Sequence, residues 1–118
     1  MVIKKATRSL VIEEPKLWFA YSDEKNFFHW LESIPAVGKV VRVDSGLQVQ
    51  FKRSVDDESL RDLIALMTRY DLNRGVLAAL VTAKNRSWFK NNKKSFWHKS
   101  VFPVVRQAKV RNASRARP

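Results

Sequence analysis

Residues 37–52 decide the fold, and they read VGKVVRVDSGLQVQFK. The first part is rich in valine, Asp44-Ser45-Gly46 has the composition of a turn, and Leu47 to Lys52 alternates apolar and polar side chains without a break. Strict alternation is typical of a strand with one face on a core and the other in water. The pattern therefore predicts a β-hairpin, with strands over 37–43 and 47–52, in a sheet that is covered on one face.

A helix is expected on each side of this hairpin. Before it, Ser22 can cap a helix that Pro35 ends, because the residue before proline avoids the helical region. After it, Asp56 can cap a second helix, with Val55 and Leu60 spaced as a hydrophobic staple. Both helices carry apolar residues at helical spacing, namely Phe27, Trp30, Leu31 and Ile34 in the first and Leu60, Leu63, Ile64 and Met67 in the second.

Three further elements complete the expected architecture. Leu17 to Tyr21 is aromatic and apolar, which favours a well-covered strand, and Leu10 to Ile12 is a weaker candidate strand. Asn73 can cap a shorter third helix that runs to Val81. We therefore expect an α+β domain over residues 1–103, in which two or three helices cover one face of a small antiparallel sheet of three to four strands.

Positive charge is concentrated in the last third of the chain. The 118 residues carry a net charge of +12. Residues 1–80 hold 12 Lys/Arg and 11 Asp/Glu, whereas residues 81–118 hold 11 Lys/Arg and no acid. This asymmetry predicts a polyanionic partner: nucleic acid, an acidic protein or an anionic membrane surface.

Cations and aromatic residues alternate between Lys84 and Lys99, which is typical of surfaces that neutralise phosphates and stack on bases. The same rings are also candidates for core anchors. Two short elements joined by a polar turn fit this stretch. Residues 104–118 form a basic tail that we expect to be disordered in the free protein. The predicted contact residues are Arg86, Trp88, Lys90, Lys93, Lys94, Trp97, His98, Lys99, Arg106, Lys109 and Arg111.

Nothing in the sequence predicts a cofactor or a metal. There is no cysteine, which excludes disulfides and thiolate ligands, and no phosphate-binding glycine loop occurs. The sequence has three acidic clusters, Glu13-Glu14, Asp23-Glu24 and Asp56-Asp57-Glu58. The last two begin predicted helices, where capping and the helix dipole account for them. No stretch approaches the roughly 20 apolar residues of a membrane span, so a cytoplasmic location is the default expectation.

Two arrangements would place the chain among nucleases. Asp44 with Gln50-Phe51-Lys52 resembles the core of the PD-(D/E)xK nucleases, although Gln50 stands where the second acid of that motif belongs. The resemblance implies a metal held on adjacent strands, and an amide is a weaker ligand for a hard cation than a carboxylate. A metal-free ribonuclease would instead need His29 and His98, the only histidines, to converge.

A non-enzymatic binding protein is the function that these observations favour, with nucleic acid as the expected partner of the C-terminal third. The first alternative is a small bacterial inhibitor or immunity-type protein that covers an acidic patch on another protein. A nuclease is the second alternative. Oligomeric state is left open by the sequence.

Overall fold

The computed structural model describes residues 8–103 of the chain. A β-hairpin stands between two long helices, and short helices follow the second. The elements are β1 (Ser9–Ile12), α1 (Tyr21–Ser33), β2 (Val37–Val43), β3 (Gly46–Phe51), α2 (Asp57–Arg69), a 3₁₀ helix (Arg74–Leu80), α3 (Arg86–Phe89) and α4 (His98–Val101).

The three strands form one antiparallel sheet with the order β1-β3-β2, and this confirms the predicted hairpin and the α+β class. Gly46 closes the turn with a φ of 144°, a conformation that favours glycine. A bulge at Gly38 shifts the register near the start of β2.

One face of β3 lies on the core and the other does not, as its alternating pattern predicts. Leu47 and Val49 are completely buried. Gln48 and Gln50 lie on the opposite face, where the Gln50 amide nitrogen donates to Oε1 of Gln48 at 2.9 Å.

Helix α2 follows the prediction closely. Asp56 caps it by accepting a hydrogen bond from the Ser59 N–H at 3.0 Å. The hydroxyl of buried Ser59 accepts from the backbone N–H of Ala36 at 3.0 Å, which fixes the start of α2 against the connection between α1 and β2. All four residues of the predicted stripe are buried: Leu60, Leu63, Ile64 and Met67.

Helix α1 buries Phe27 and Leu31 as predicted, but its beginning differs from the prediction. Ser22 lies inside the helix, and the residue at the N-cap position is Ala20, whose side chain makes no capping bond. The first turn is held instead by the Asp23 carboxylate, which accepts from the Phe19 N–H at 3.2 Å.

The predicted strand over Leu17–Tyr21 is wrong. The third strand is β1, which pairs with β3 from Ser9 to Ile12 and so occupies the place beside β3 opposite β2. Within the misassigned stretch only Trp18 packs against the core. Leu17, Phe19 and Tyr21 are 64%, 85% and 77% exposed.

The region after α2 forms short helices, as the sequence predicts. The Asn73 side chain accepts from the Gly75 N–H at 3.0 Å and begins the 3₁₀ helix. Helices α3 and α4 are the two short elements expected on either side of a polar turn. The tail predicted over 104–118 lies outside the described residues.

Candidate binding surfaces

Residues 84–99 are called the basic segment below. The start of this segment is anchored by the buried side chain of Asn85. Asn85 is 3% exposed, and its side chain accepts a hydrogen bond from the Thr82 N–H at 2.8 Å and donates one to the Leu80 carbonyl at 2.9 Å. These two hydrogen bonds join the start of the basic segment to the end of the 3₁₀ helix. They therefore fix the backbone of the segment at its first residues.

Packed rings fold the basic segment back on itself. Phe89 is completely buried and Trp97 is 6% exposed. The Trp97 ring centroid lies 5.4 Å from that of Trp88 and 5.6 Å from that of Phe89, and Phe102 stands edge-on to Phe89 at 5.0 Å. The sequence allows these rings to be either core anchors or base-stacking contacts, and the structure buries Phe89 and Trp97, leaves Trp88 half-buried and exposes Phe96.

His98 ties the two halves of the basic segment together. It is 8% exposed, and its Nε2 lies 2.6 Å from the Lys90 carbonyl oxygen. Its ring also packs 5.2 Å from Phe102. In this arrangement Trp97 and His98, both predicted contact residues, support the segment from inside.

The cations of the basic segment lie on the outside. All of those predicted to make contacts are exposed: Arg86, Lys90, Lys93, Lys94 and Lys99. None of the three ion pairs found among residues 8–103 includes any of them. The segment therefore presents charge that no carboxylate of the described chain neutralises. Arg106, Lys109 and Arg111 lie outside the described residues.

Ring faces available for stacking are few on the basic segment. Trp88 is half-buried, and the Arg61 guanidinium from α2 lies 4.7 Å from its ring centroid. Phe96 is 77% exposed. Arg61 joins the segment only through the tertiary fold, because no sequence pattern links it to Trp88.

The structure also has a second surface, which the sequence does not predict. Leu17, Phe19 and Tyr21, called the apolar ridge below, are exposed and line two open clefts. Leu17 and Phe19 line a cleft of about 860 Å³, and Tyr21 lines another of about 740 Å³. The only sign of this surface in the sequence is the aromatic content of Leu17–Tyr21, which by itself favours a buried strand.

The structure also gives the positions of the residues in the two nuclease-like arrangements. Gln50 pairs with Lys39, whereas Asp44 lies at the far end of the hairpin, five residues further along the chain. At roughly 3.3 Å per residue, five residues span about 16 Å, too far for Asp44 and Gln50 to share a metal. His29 is exposed on α1, whereas His98 is buried against Phe102 at the start of α4. Among residues 8–103, no group of three or more His, Asp or Glu is placed to hold a metal ion.

The carboxylates with identified partners have structural roles. Arg42 forms ion pairs with Glu14 at 2.8 Å and Glu24 at 3.2 Å, and the hydrogen bond and charge of Glu14 raise the pKa of Arg42. Hydrogen bonds from the Ser59 hydroxyl and N–H lower the pKa of Asp56. Burial, followed by a hydrogen bond with Asp23, raises the pKa of Tyr70.

Comparison with known proteins found no matching family model, no similar curated protein and no similar solved structure. Within residues 8–103, no helix combines the length and the apolar character needed to cross a membrane.

Proposed function

We propose that this chain is a non-enzymatic binding protein whose basic segment contacts the phosphate backbone of a nucleic acid. The observation that carries the proposal is the set of exposed cations on the segment, which form no ion pair within residues 8–103 and belong to a third of the chain that contains no acid. Cations of this kind bind phosphates by releasing condensed counterions, which makes binding strong at low salt and weak at high salt.

The buried rings refine the kind of contact that is expected. Because Phe89, Trp97 and His98 lie in the core, base stacking is limited to Phe96 and the half-buried Trp88. Contacts to phosphate carry no base identity. We therefore expect binding that depends strongly on salt and weakly on sequence.

The second candidate is an inhibitor-type protein that uses the same cations against an acidic protein surface. The observation that favours it is again the burial of the rings, because cations without stacking partners suit carboxylates as well as phosphates. Such a protein would form a saturable one-to-one complex, whereas phosphate contacts would place several copies on a long strand.

Neutralising the segment tests the proposal. Lys90, Lys93, Lys94 and Lys99 are changed together to glutamine, and binding to a labelled single-stranded oligonucleotide is followed by fluorescence anisotropy at several salt concentrations. For each phosphate that the variant no longer neutralises, the slope of log affinity against log salt should fall by about 0.7, so the four changes should reduce it by up to about 2.8. Circular dichroism should show the same fold, because all four lysines are exposed.

A matched control distinguishes the loss of cations in the basic segment from the loss of net charge in general. Glutamine at the exposed residues Lys16, Lys25, Lys39 and Lys52 removes the same charge outside the segment. The control should retain most of the parent's slope. If the two variants weaken binding equally, or if the parent binds poly-glutamate as tightly as the oligonucleotide, then the phosphate-binding role of the segment is wrong.

A further inference from the structure

The apolar ridge exposes three large apolar side chains within five residues of the chain. Six large apolar side chains are exposed among residues 8–103, and three of them belong to the ridge: Leu17, Phe19 and Tyr21. Single exposed apolar residues are ordinary, whereas clustered ones mark interaction sites. Aromatic side chains are also the commonest anchors of protein interfaces.

The backbone beneath the ridge is held in place. Trp18 points inward, with its ring centroid 5.4 Å from Phe27 and 6.2 Å from Tyr70. The bond from the Phe19 N–H to Asp23 joins the ridge to the first turn of α1. Fixing the anchors in advance lowers the entropy that association must cost.

The charged residues that flank the apolar ridge are mostly acidic, unlike those of the chain as a whole. The two clefts beside it hold six of the chain's eleven carboxylates. Four cations lie among them: Lys16 and Arg69 in the larger cleft, and Lys25 and Arg42 in the smaller. The flanks of the ridge are thus net negative in a chain of net charge +12. This sign disfavours a phosphate backbone and favours a partner with basic groups around an apolar centre.

We infer that the apolar ridge is a docking site for a partner protein whose surface offers an apolar pocket bordered by basic side chains. Phe19, the most exposed of the three, enters that pocket, and the carboxylates of the two clefts face its basic border. Since the basic segment is a separate stretch of chain with the opposite charge, the protein can hold a polyanion and a protein partner together.

Site-specific photo-crosslinking tests this inference on the full chain. A benzophenone amino acid replaces Phe19 in cells of the source organism, and the matched control carries it at Ser45, an exposed residue of the hairpin turn. We expect one protein species to be linked at position 19 and not at 45. That species, identified by mass spectrometry and purified, should then bind the full chain one-to-one in a calorimetric titration.

Variants decide whether the ridge makes the contact. Phe19→Ala should weaken this complex at least about thirtyfold, as expected of a central aromatic anchor. The same variant should bind the oligonucleotide like the parent, and the fourfold lysine variant should bind the partner protein with little change. Failure of the ridge proposal is thus distinguishable from failure of the nucleic-acid proposal. The inference is overturned by crosslinks to nucleic acid, lipid or the chain itself, by the absence of any crosslink, or by a complex indifferent to Phe19→Ala.

Discussion

Adjacent residues of one short stretch have opposite roles. Trp18 packs on Phe27 and Tyr70, whereas Phe19 is 85% exposed. The sequence presents them as equivalent aromatic residues. What separates them is the direction in which the backbone, held by the Phe19–Asp23 bond, points each side chain.

Alanine at these two positions should therefore affect stability very differently. Trp18→Ala removes a half-buried ring from the core and should lower the free energy of unfolding by about 2 kcal/mol. Phe19→Ala should change it by less than about 0.5 kcal/mol, because an exposed side chain leaves no cavity. Urea unfolding followed by circular dichroism measures both, and equal losses would contradict the exposure of the ridge.

At the scale of elements, α2 depends on its first turn. Asp56 accepts from the Ser59 N–H, and Ser59 also accepts from Ala36, so one short sequence both caps α2 and holds the connection that precedes β2. The sequence around Asp56 is sufficient to predict the cap. The hydrogen bond from the Ala36 N–H to the Ser59 hydroxyl is seen only in the tertiary structure.

Asp56→Ala should destabilise the protein by about 1 kcal/mol at pH 7, the usual cost of losing an N-cap. Hydrogen bonds from Ser59 lower the pKa of Asp56 in the folded protein. The contribution of the ionised Asp56 carboxylate to the free energy of unfolding is therefore fully present above the ordinary pKa of an aspartate, near 3.9. That contribution is lost as the pH falls through the lower, folded value. Urea unfolding of parent and variant across this range should therefore converge at acidic pH.

The control for this effect is Asp57→Ala, a change one residue inside α2 at an exposed position. It removes a carboxylate that favours the helix dipole but not the capping bond, so it should cost no more than a few tenths of a kcal/mol. A cost equal to that of Asp56→Ala would mean that charge, rather than the cap, stabilises the helix start.

For the whole molecule, the boundary between the folded domain and the basic tail can be tested by truncation. Deleting residues 104–118 removes five positive charges and a stretch with few large apolar residues. Thermal unfolding of the truncated and full chains should nearly coincide. A fall of many degrees would show that the tail packs on the domain.

Truncation after residue 94 provides the contrast. It removes Trp97 and Val101, which are 6% and 1% exposed, and so takes away part of the core along with the remainder of the basic segment. We expect a large loss of stability, of several kcal/mol. Coinciding thermal transitions for this shorter chain would mean that the aromatic packing of the basic segment contributes little to the fold.

The sequence by itself determined the hairpin, helix α2 and the charge asymmetry. Alternation over Leu47–Phe51 and the helical spacing from Leu60 to Met67 are local patterns, and net charge does not depend on conformation. Each follows from residues near one another in the chain, so each could be predicted before the fold was known.

Only the tertiary structure decided which aromatic residues are buried. Trp97 and His98 are buried against Phe89, Phe102 and the Lys90 carbonyl, whereas the residues of the apolar ridge join no strand and are exposed. Burial depends on which distant elements meet a side chain, and a ring of given chemistry suits a core or an interface equally well. For that reason the charge of this protein could be predicted from its sequence, whereas its exposed apolar surface could not.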